Sequence, residues 1–260
     1  MSEVKAYLLD MDGTLFLEES PIEGAIEFLD FLSQESIPFA LVTNNSSKSR
    51  KVYTETLGKM GFKVESENIF SSGIATAMYL KKEGIEKVYL LGTPALKQEF
   101  IDYGIEIDST EPQAVVLGFD QTLDYEKMVK MHRFLLEGKR YIATHPDFVC
   151  PMIDGSIPDT GAMIAMFEAS SGRSPEVVGK PNSLLVEMAC EQLGVQPFEC
   201  MMVGDRIYTD MKMAKNAGVK SGLVLTGEAT VEDVSACGIE IDRVYQSVKD
   251  IHLERLEEIK

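Results

Sequence analysis

Asp10 and Asp12 are the residues best placed by type and spacing to do chemistry; they end the run Val4-Lys-Ala-Tyr-Leu-Leu-Asp-Met-Asp-Gly-Thr-Leu15. The apolar residues before them read as a buried strand that gives way to a polar loop. In an extended chain, side chains two apart point the same way, so the two carboxylates share one small volume while Met11 turns back toward the core. Like charges that close raise one another's pKa unless a cation or a shared proton relieves them, and a bound metal would do so. Gly13 supplies a flexible backbone point, and Thr14 offers a hydroxyl and an N–H to an anion over the strand end. A solvated acidic turn is the plain alternative for this stretch alone. A calcium loop fits worse, because its required glycine and glutamate, counted from Asp10, fall on Leu15 and Pro21.

Three further polar turns follow apolar stretches. A buried strand over 38–42 runs into Thr43-Asn44-Asn45-Ser46-Ser47, Val177-Val178 runs into Gly179-Lys180-Pro181, and a strand over 200–203 runs into Gly204-Asp205-Arg206, with Asp210 beyond. If these strands are parallel neighbours, their carboxyl ends meet in one crevice. The inventory there is carboxylates, one lysine, a hydroxyl and backbone N–H groups. All-oxygen ligation suits magnesium, which takes few carboxylates together with substrate phosphate oxygens. The lysine and the backbone donors can neutralise a phosphoryl group.

The elements that would position these residues alternate. Helical periodicity covers 22–33, with Ala25, Phe28, Leu29 and Leu32 on one face, and another helix ends near Met60. Ser71-Ser72 caps a helix to Lys82. Strands over 88–91, 114–117 and 141–144 alternate with helices over 95–103 and 125–137. Residues 145–161 form a loop rich in proline and carboxylates, a helix follows over 162–169, and another runs to Leu193. A helix over 211–217, a strand over 222–225 and a charged amphipathic helix from Val248 complete the chain. Strand-helix alternation of this kind predicts an α/β fold on a parallel sheet.

The chain as a whole narrows the function. Its 260 residues, 45% of them apolar, can bury a large core, and two domains are favoured. Twenty-five basic residues against 42 acidic leave a net charge of −17, which opposes nucleic acid and anionic membrane as partners. No apolar run approaches a membrane span and no basic-then-apolar leader opens the sequence, so a soluble, cytoplasmic protein is expected. Cys150, Cys190, Cys200 and Cys237 show no C-x-x-C spacing and read as reduced thiols.

In order along the chain, Asp10-Met-Asp-Gly-Thr-Leu, Thr43-Asn44, Lys180 and Gly204-Asp205-Arg206 with Asp210 resemble the four motifs of the haloacid dehalogenase-like hydrolase superfamily. Each is weak alone; the ordered set is specific and spans nearly the whole chain. Residues 11–42 leave room for a flap and one helix, whereas 44–179 can hold an extra domain, which resembles the branch with a type-2 α/β cap. Thr-Asn-Asn at 43–45, Pro-Asp-Thr-Gly at 158–161 and Gly-Lys-Pro at 179–181 narrow the resemblance to the NagD-like phosphatases. That group includes 4-nitrophenylphosphatases, phosphoglycolate and pyridoxal phosphatases and nucleotide monophosphatases.

The resemblance implies a Rossmann-like parallel-sheet core of three α/β/α layers, formed by 1–82 and 175–260, with a smaller α/β cap domain inserted over 83–174. It implies a magnesium-dependent phosphatase acting on a small phosphorylated metabolite. Asp10 would be the nucleophile that carries an aspartyl-phosphate, and Asp12 the general acid and base. Asp10, Asp12 through its carbonyl, and Asp205 would hold Mg2+, with Asp210 behind them; Thr43, Asn44 and Lys180 would bind the phosphoryl oxygens. His145, Asp147 and the Asp159-Thr160-Gly161 turn follow a cap strand and, with Asn45, are the candidates for selecting the leaving group. His145 stands where the family more often has asparagine, and a structural role for it competes with substrate contact; His132 and His252 read as solvated. The sequence leaves open a homodimer through cap surfaces.

Two other functions use the same residues. A phosphotransferase or mutase would pass the phosphoryl group from Asp10 to a sugar hydroxyl, although the sugar-phosphate mutases carry their cap in the first gap, here too short. A silent phospholigand-binding protein would need a missing motif residue, and none is missing. A dehalogenase would lack the second aspartate.

Overall fold

The computed structural model describes residues 4–152 and 155–258. The chain divides into two compact units: one holds the chain up to Thr43, Lys51–Phe70 and everything from Lys180 onward, and the other holds Asn44–Arg50 and Ser71–Gly179. In chain order the elements are β1 (Ala6–Leu9), a short hairpin of β2 (Phe16–Leu17) and β3 (Ser20–Pro21), α1 (Ala25–Gln34), β4 (Phe39–Thr43), α2 (Arg50–Lys59) and β5 (Ile69–Ser71). The second unit continues with α3 (Ser72–Lys82), β6 (Val88–Leu91), α4 (Pro94–Asp102), β7 (Ala114–Leu117), α5 (Tyr125–Leu136), β8 (Arg140–Ala143), a hairpin of β9 (Val149–Met152) and β10 (Gly155–Pro158), α6 (Thr160–Ser171) and β11 (Glu176–Val177). The return to the first unit adds α7 (Leu184–Leu193), β12 (Cys200–Gly204), a π-turn (Ile207–Met211) that leads into α8 (Lys212–Ala217), β13 (Lys220–Val224), α9 (Val231–Ala236), β14 (Arg243–Tyr245) and α10 (Val248–Glu258).

The first unit is a six-stranded sheet in the order β14-β13-β12-β1-β4-β5. β1 pairs in parallel with both neighbours, Leu9 lying opposite Val203 on one side and Leu41 on the other. The chain leaves β1 toward β4 and later returns to its other flank as β12, so the direction of winding switches at β1. In open parallel sheets that is where strand ends part and a ligand crevice opens. Ala6, Tyr7, Leu8 and Leu9 are all buried, as both faces of such a sheet must be. α7 packs on β1 and β4, while α1 pairs with α10. The Tyr7 ring meets Phe28 of α1 edge-on at 5.4 Å. His252, expected in solvent, instead lies 4.8 Å from the Phe31 ring, and burial lowers its pKa.

The second unit is a four-stranded parallel sheet in the order β11-β8-β7-β6. Its core gathers Tyr89, Leu91, Val115, Leu117, Met131, Leu135 and Phe167. The inserted unit is wider than the 83–174 expected. α3 packs on α4, the Thr93 hydroxyl donates to the Ser47 carbonyl at 2.7 Å, and buried Glu99 accepts the Arg50 N–H at 3.0 Å, all of which tie α3 and Asn44–Arg50 to this unit.

Other departures from the sequence have local causes. α1 begins at Ala25 rather than Ile22 because Gly24 adopts a left-handed φ of 85°. Within the loop expected over 145–161, Val149–Met152 and Gly155–Pro158 pair as an antiparallel hairpin; Ile153 and Asp154 lie outside the described residues. Lys180 does not end a strand of the core sheet, since the strand before it, β11, pairs with β8. β14 is read poorly from its own residues, two of them exposed, because pairing with β13 defines it.

Candidate active site

Asp10 sits one residue past β1, and its N–H extends the parallel ladder to the Val203 carbonyl at 2.8 Å. Its buried carboxylate is paired with the Lys180 ammonium, which also meets Asp210 Oδ1 at 2.7 Å. Lys180 is 3% exposed. Burial alone would pull its pKa down; the charges of Asp10 and Asp210 outweigh that and hold it above the ordinary lysine value.

Asp205 lies just past the end of β12, and Asp210 falls in the π-turn that follows. Asp10, Asp205 and Asp210 each bring a carboxylate oxygen within 4.8 Å of the others. Burial, and then the charge of Asp10, push Asp205 up to about 6. Asp210 rises to about 7 through burial, opposed by Lys180 and reinforced by Asp10 and Asp205. One oxygen of Asp205 accepts the Glu228 N–H at 2.7 Å. The other, Oδ1, is buried and has no hydrogen-bond partner among the described residues. An orphaned carboxylate oxygen facing two more carboxylates is a donor set that fits a hard divalent cation.

Glycines make room for these acids. A Cβ on Gly13, whose φ is +81°, would stand 2.4 Å from Asp205 Oδ2, one on Gly227 would stand 2.0 Å from the same oxygen, and one on Gly204 would stand 2.4 Å from Asp210 Oδ2.

Asp12 is exposed and bridges in the backbone to Phe16, at the start of the β2–β3 hairpin. Its side chain is not part of the buried acidic group; Met11, as expected, is fully buried. Thr14 does not present its N–H to an anion, because that group donates to the Met11 carbonyl at 3.2 Å. Thr43 is the buried last residue of β4, on the strand beside β1.

The segment after β13 was missed from sequence. Thr226 donates its hydroxyl to the Gly13 carbonyl at 2.6 Å, and Gly227 and Glu228 cradle Asp205. The signal was present: Leu225-Thr226-Gly227 puts a polar residue and a glycine after a strand, as Asp12-Gly13 does.

The remaining site residues gather in the second unit. Asn44 Nδ2 donates to Asp147 Oδ2 at 3.0 Å. Asn45 Oδ1 accepts both the N–H and the hydroxyl of Ser47, which closes a local turn. His145 is fully buried, with Nε2 2.9 Å from Asp159 Oδ1 and Nδ1 3.0 Å from Thr144 Oγ1. Thr160 donates its N–H and hydroxyl to Asp159, and the Gly161 N–H donates to the Asp147 carbonyl at 2.8 Å. Gly161 has no space for a side chain, since its Cβ would stand 2.2 Å from the Pro146 carbonyl oxygen.

Both halves of the chain, and its fold, match known proteins. A model for haloacid dehalogenase-like hydrolases matches residues 7–106, and a HAD-hydrolase-like model matches residues 177–251. An acid sugar phosphatase of Staphylococcus aureus is 36% identical over 236 residues, which cover 90% of this chain and 91% of that protein. The crystal structure of a 4-nitrophenylphosphatase from Thermotoga maritima is 45% identical and superposes with a TM-score of 0.91, covering 96% of each chain. NagD from Escherichia coli K-12 is 30% identical with a TM-score of 0.90, over 95% of this chain and 98% of its own. With a relative 36% identical over nine-tenths of its length and family models matching both halves of its sequence, the chain belongs to the haloacid dehalogenase-like hydrolase family.

Proposed function

We propose that this chain is a magnesium-dependent phosphatase that hydrolyses small phosphomonoesters through an aspartyl-phosphate on Asp10. The observation that carries the reading is the burial of Lys180 between Asp10 and Asp210, with Asp205 alongside. That site sets one lysine against three carboxylates, a deficit of positive charge that a divalent ion can balance. The names of two relatives, an acid sugar phosphatase and a 4-nitrophenylphosphatase, support the same class.

Asp10 and Asp205 would hold the ion, with the Asp12 carbonyl completing the protein's share and Asp210 orienting Lys180. Bound there, the ion supplies Lewis-acid stabilisation of the phosphoryl charge. In the first step an Asp10 carboxylate oxygen bonds to phosphorus, the bond from phosphorus to the leaving oxygen breaks, and Asp12 delivers a proton to that oxygen. In the second, water attacks phosphorus, the bond to Asp10 breaks, and Asp12 takes the proton. Exposure of Asp12 suits this exchange. Thr43, the Asn44 peptide and Lys180 would bind the equatorial oxygens. The inserted unit acts as the cap domain, and the protein works in the cytoplasm. Phosphate release from 4-nitrophenyl phosphate that needs magnesium and stops with chelator is the expected result; a protein that binds the ester and never turns it over is the silent binder instead.

Magnesium should also stabilise the fold. The raised pKa values of Asp205 and Asp210 mean that, without metal, the protonated acids favour the folded state. That contribution is complete below the unfolded carboxylate pKa near 4 and is lost as pH rises through about 6 and about 7. Metal binding needs the ionised forms, so the stabilisation by saturating Mg2+, about 2.7 kcal/mol at a hundredfold excess over Kd, should grow from pH 5 to pH 8 in thermal melts. A metal response independent of pH would remove these acids from the ion.

Gly227→Ala tests the cradle. The added methyl forces Asp205 aside, and a shift of about 1 Å at a reacting centre costs on the order of a hundredfold. The expected result is a loss of that size in kcat/KM, partly recovered at high magnesium, with an unchanged circular dichroism spectrum; unaltered kinetics would place Asp205 outside the reaction.

A further inference from the structure

Asn44 is held from three sides within the second unit. Its carbonyl accepts the Ser72 hydroxyl, and its Nδ2 donates to Asp147. Its Oδ1 lies against Gly179, where a Cβ would stand 2.6 Å from that oxygen, 2.6 Å from the Thr144 carbonyl oxygen and 2.9 Å from Ser72 Cβ. Gly179 is tied in turn through its N–H to the Thr144 carbonyl at 2.8 Å. Thus the residue that follows Thr43 and the residue that precedes Lys180 are packed on one another.

The loop that supplies this cradle is stiffened by a directional hydrogen-bond chain. The Asp159 carboxylate accepts from the Thr160 N–H, so the shared contact with His145 makes Nε2 the protonated nitrogen. Nδ1 then accepts from Thr144 Oγ1 at 3.0 Å, Thr144 accepts from Ser46 Oγ at 2.9 Å, and Ser46 accepts from the Phe119 N–H at 2.9 Å. Every member is buried, and such a connected network favours one geometry. His145 Nδ1 also packs 3.5 Å from Ser72 Oγ, with no proton between them because that hydroxyl donates to Asn44.

We propose that Ser72, His145 and Asp147 are positioning residues for phosphoryl binding: they fix the contact between Asn44 and Gly179 and, through the adjoining peptides, the placement of Thr43 and Lys180. The proposal rests on the phosphatase reading above. It assigns Asp147 and His145 to holding the site rather than to choosing the leaving group, since the Asp147 carboxylate is committed to Asn44 and both ring nitrogens of His145 are committed inside the unit.

The test uses the full chain with inorganic phosphate as a competitive inhibitor of 4-nitrophenyl phosphate hydrolysis. Loss of one such hydrogen bond should weaken phosphate inhibition roughly fivefold in Ser72→Ala and in Asp147→Ala. Asp147→Asn, which keeps an oxygen acceptor for Asn44, should restore inhibition to near the parent value. The rise in Tm on adding magnesium should be the same in all of them, a combination that general loosening of the fold does not produce. Should Ser72→Ala not fold, the Asp147 pair at its half-buried position decides. Parent-like phosphate inhibition in Asp147→Ala, with a reordered preference among esters, overturns the proposal in favour of leaving-group selection. A protonated Nδ1 on His145 by nitrogen NMR of the parent protein overturns the chain. A parent protein that neither hydrolyses the ester nor binds phosphate sinks the phosphatase reading itself, whereas an active parent matched by its alanine variants sinks only the positioning role.

Discussion

Asp10→Asn should stop turnover while leaving a folded protein. The asparagine keeps an oxygen in place for Lys180, whose second partner, Asp210, is untouched, so the buried ammonium is not stranded. What disappears is the anionic nucleophile: an amide oxygen cannot form a phosphoryl ester that water later opens. Removal of a covalent nucleophile costs on the order of 10⁴-fold or more in kcat. Single-turnover assays with 4-nitrophenyl phosphate and circular dichroism check the two halves of this expectation. Retention of more than a few per cent of activity in a folded variant would move the nucleophile elsewhere and leave Asp10 as a metal ligand only.

Lys180→Met should damage stability and rate together. The parent ammonium is almost fully enclosed between two carboxylates, and methionine fills similar space without charge. Asp10, Asp205 and Asp210 would then crowd one another with no internal cation, and breaking a buried pair from one side costs roughly 3–5 kcal/mol. Denaturant unfolding should show a loss of this size without magnesium and a smaller one with it, because the ion replaces part of the missing charge. Turnover should fall on the order of a thousandfold even at saturating magnesium, since a donor aimed at the phosphoryl oxygens is gone. A variant as stable as the parent would mean that the acids are already neutralised by protons, and the charge argument for the metal would fail.

These two residues also show how unevenly the structure could be read in advance. Asp10 is local: an apolar strand, a two-residue spacing and a glycine are enough to put a buried carboxylate at a strand end. Lys180 is not, for its strand belongs to the other sheet, and nothing near it in the chain says that it pairs with Asp10. The turn after β13 carries the same polar-plus-glycine mark as the first loop, yet Gly227 acquires meaning only because Asp205 fills the volume its side chain would take. His145 is the opposite case, a chemically versatile residue in a proline-rich loop that folding turns into an internal strut.

The amino-acid order determined by itself what depends on near neighbours: the buried strands at 6–9, 88–91 and 114–117, the capped helix after Ser71, and the motif residues in their sequence along the chain. Tertiary structure decided which strands became neighbours, where the insertion begins and ends, and which acids lost water. Those outcomes depend on pairing between residues far apart in the chain and on volumes enclosed from several elements at once, and periodicity along one segment carries no record of either.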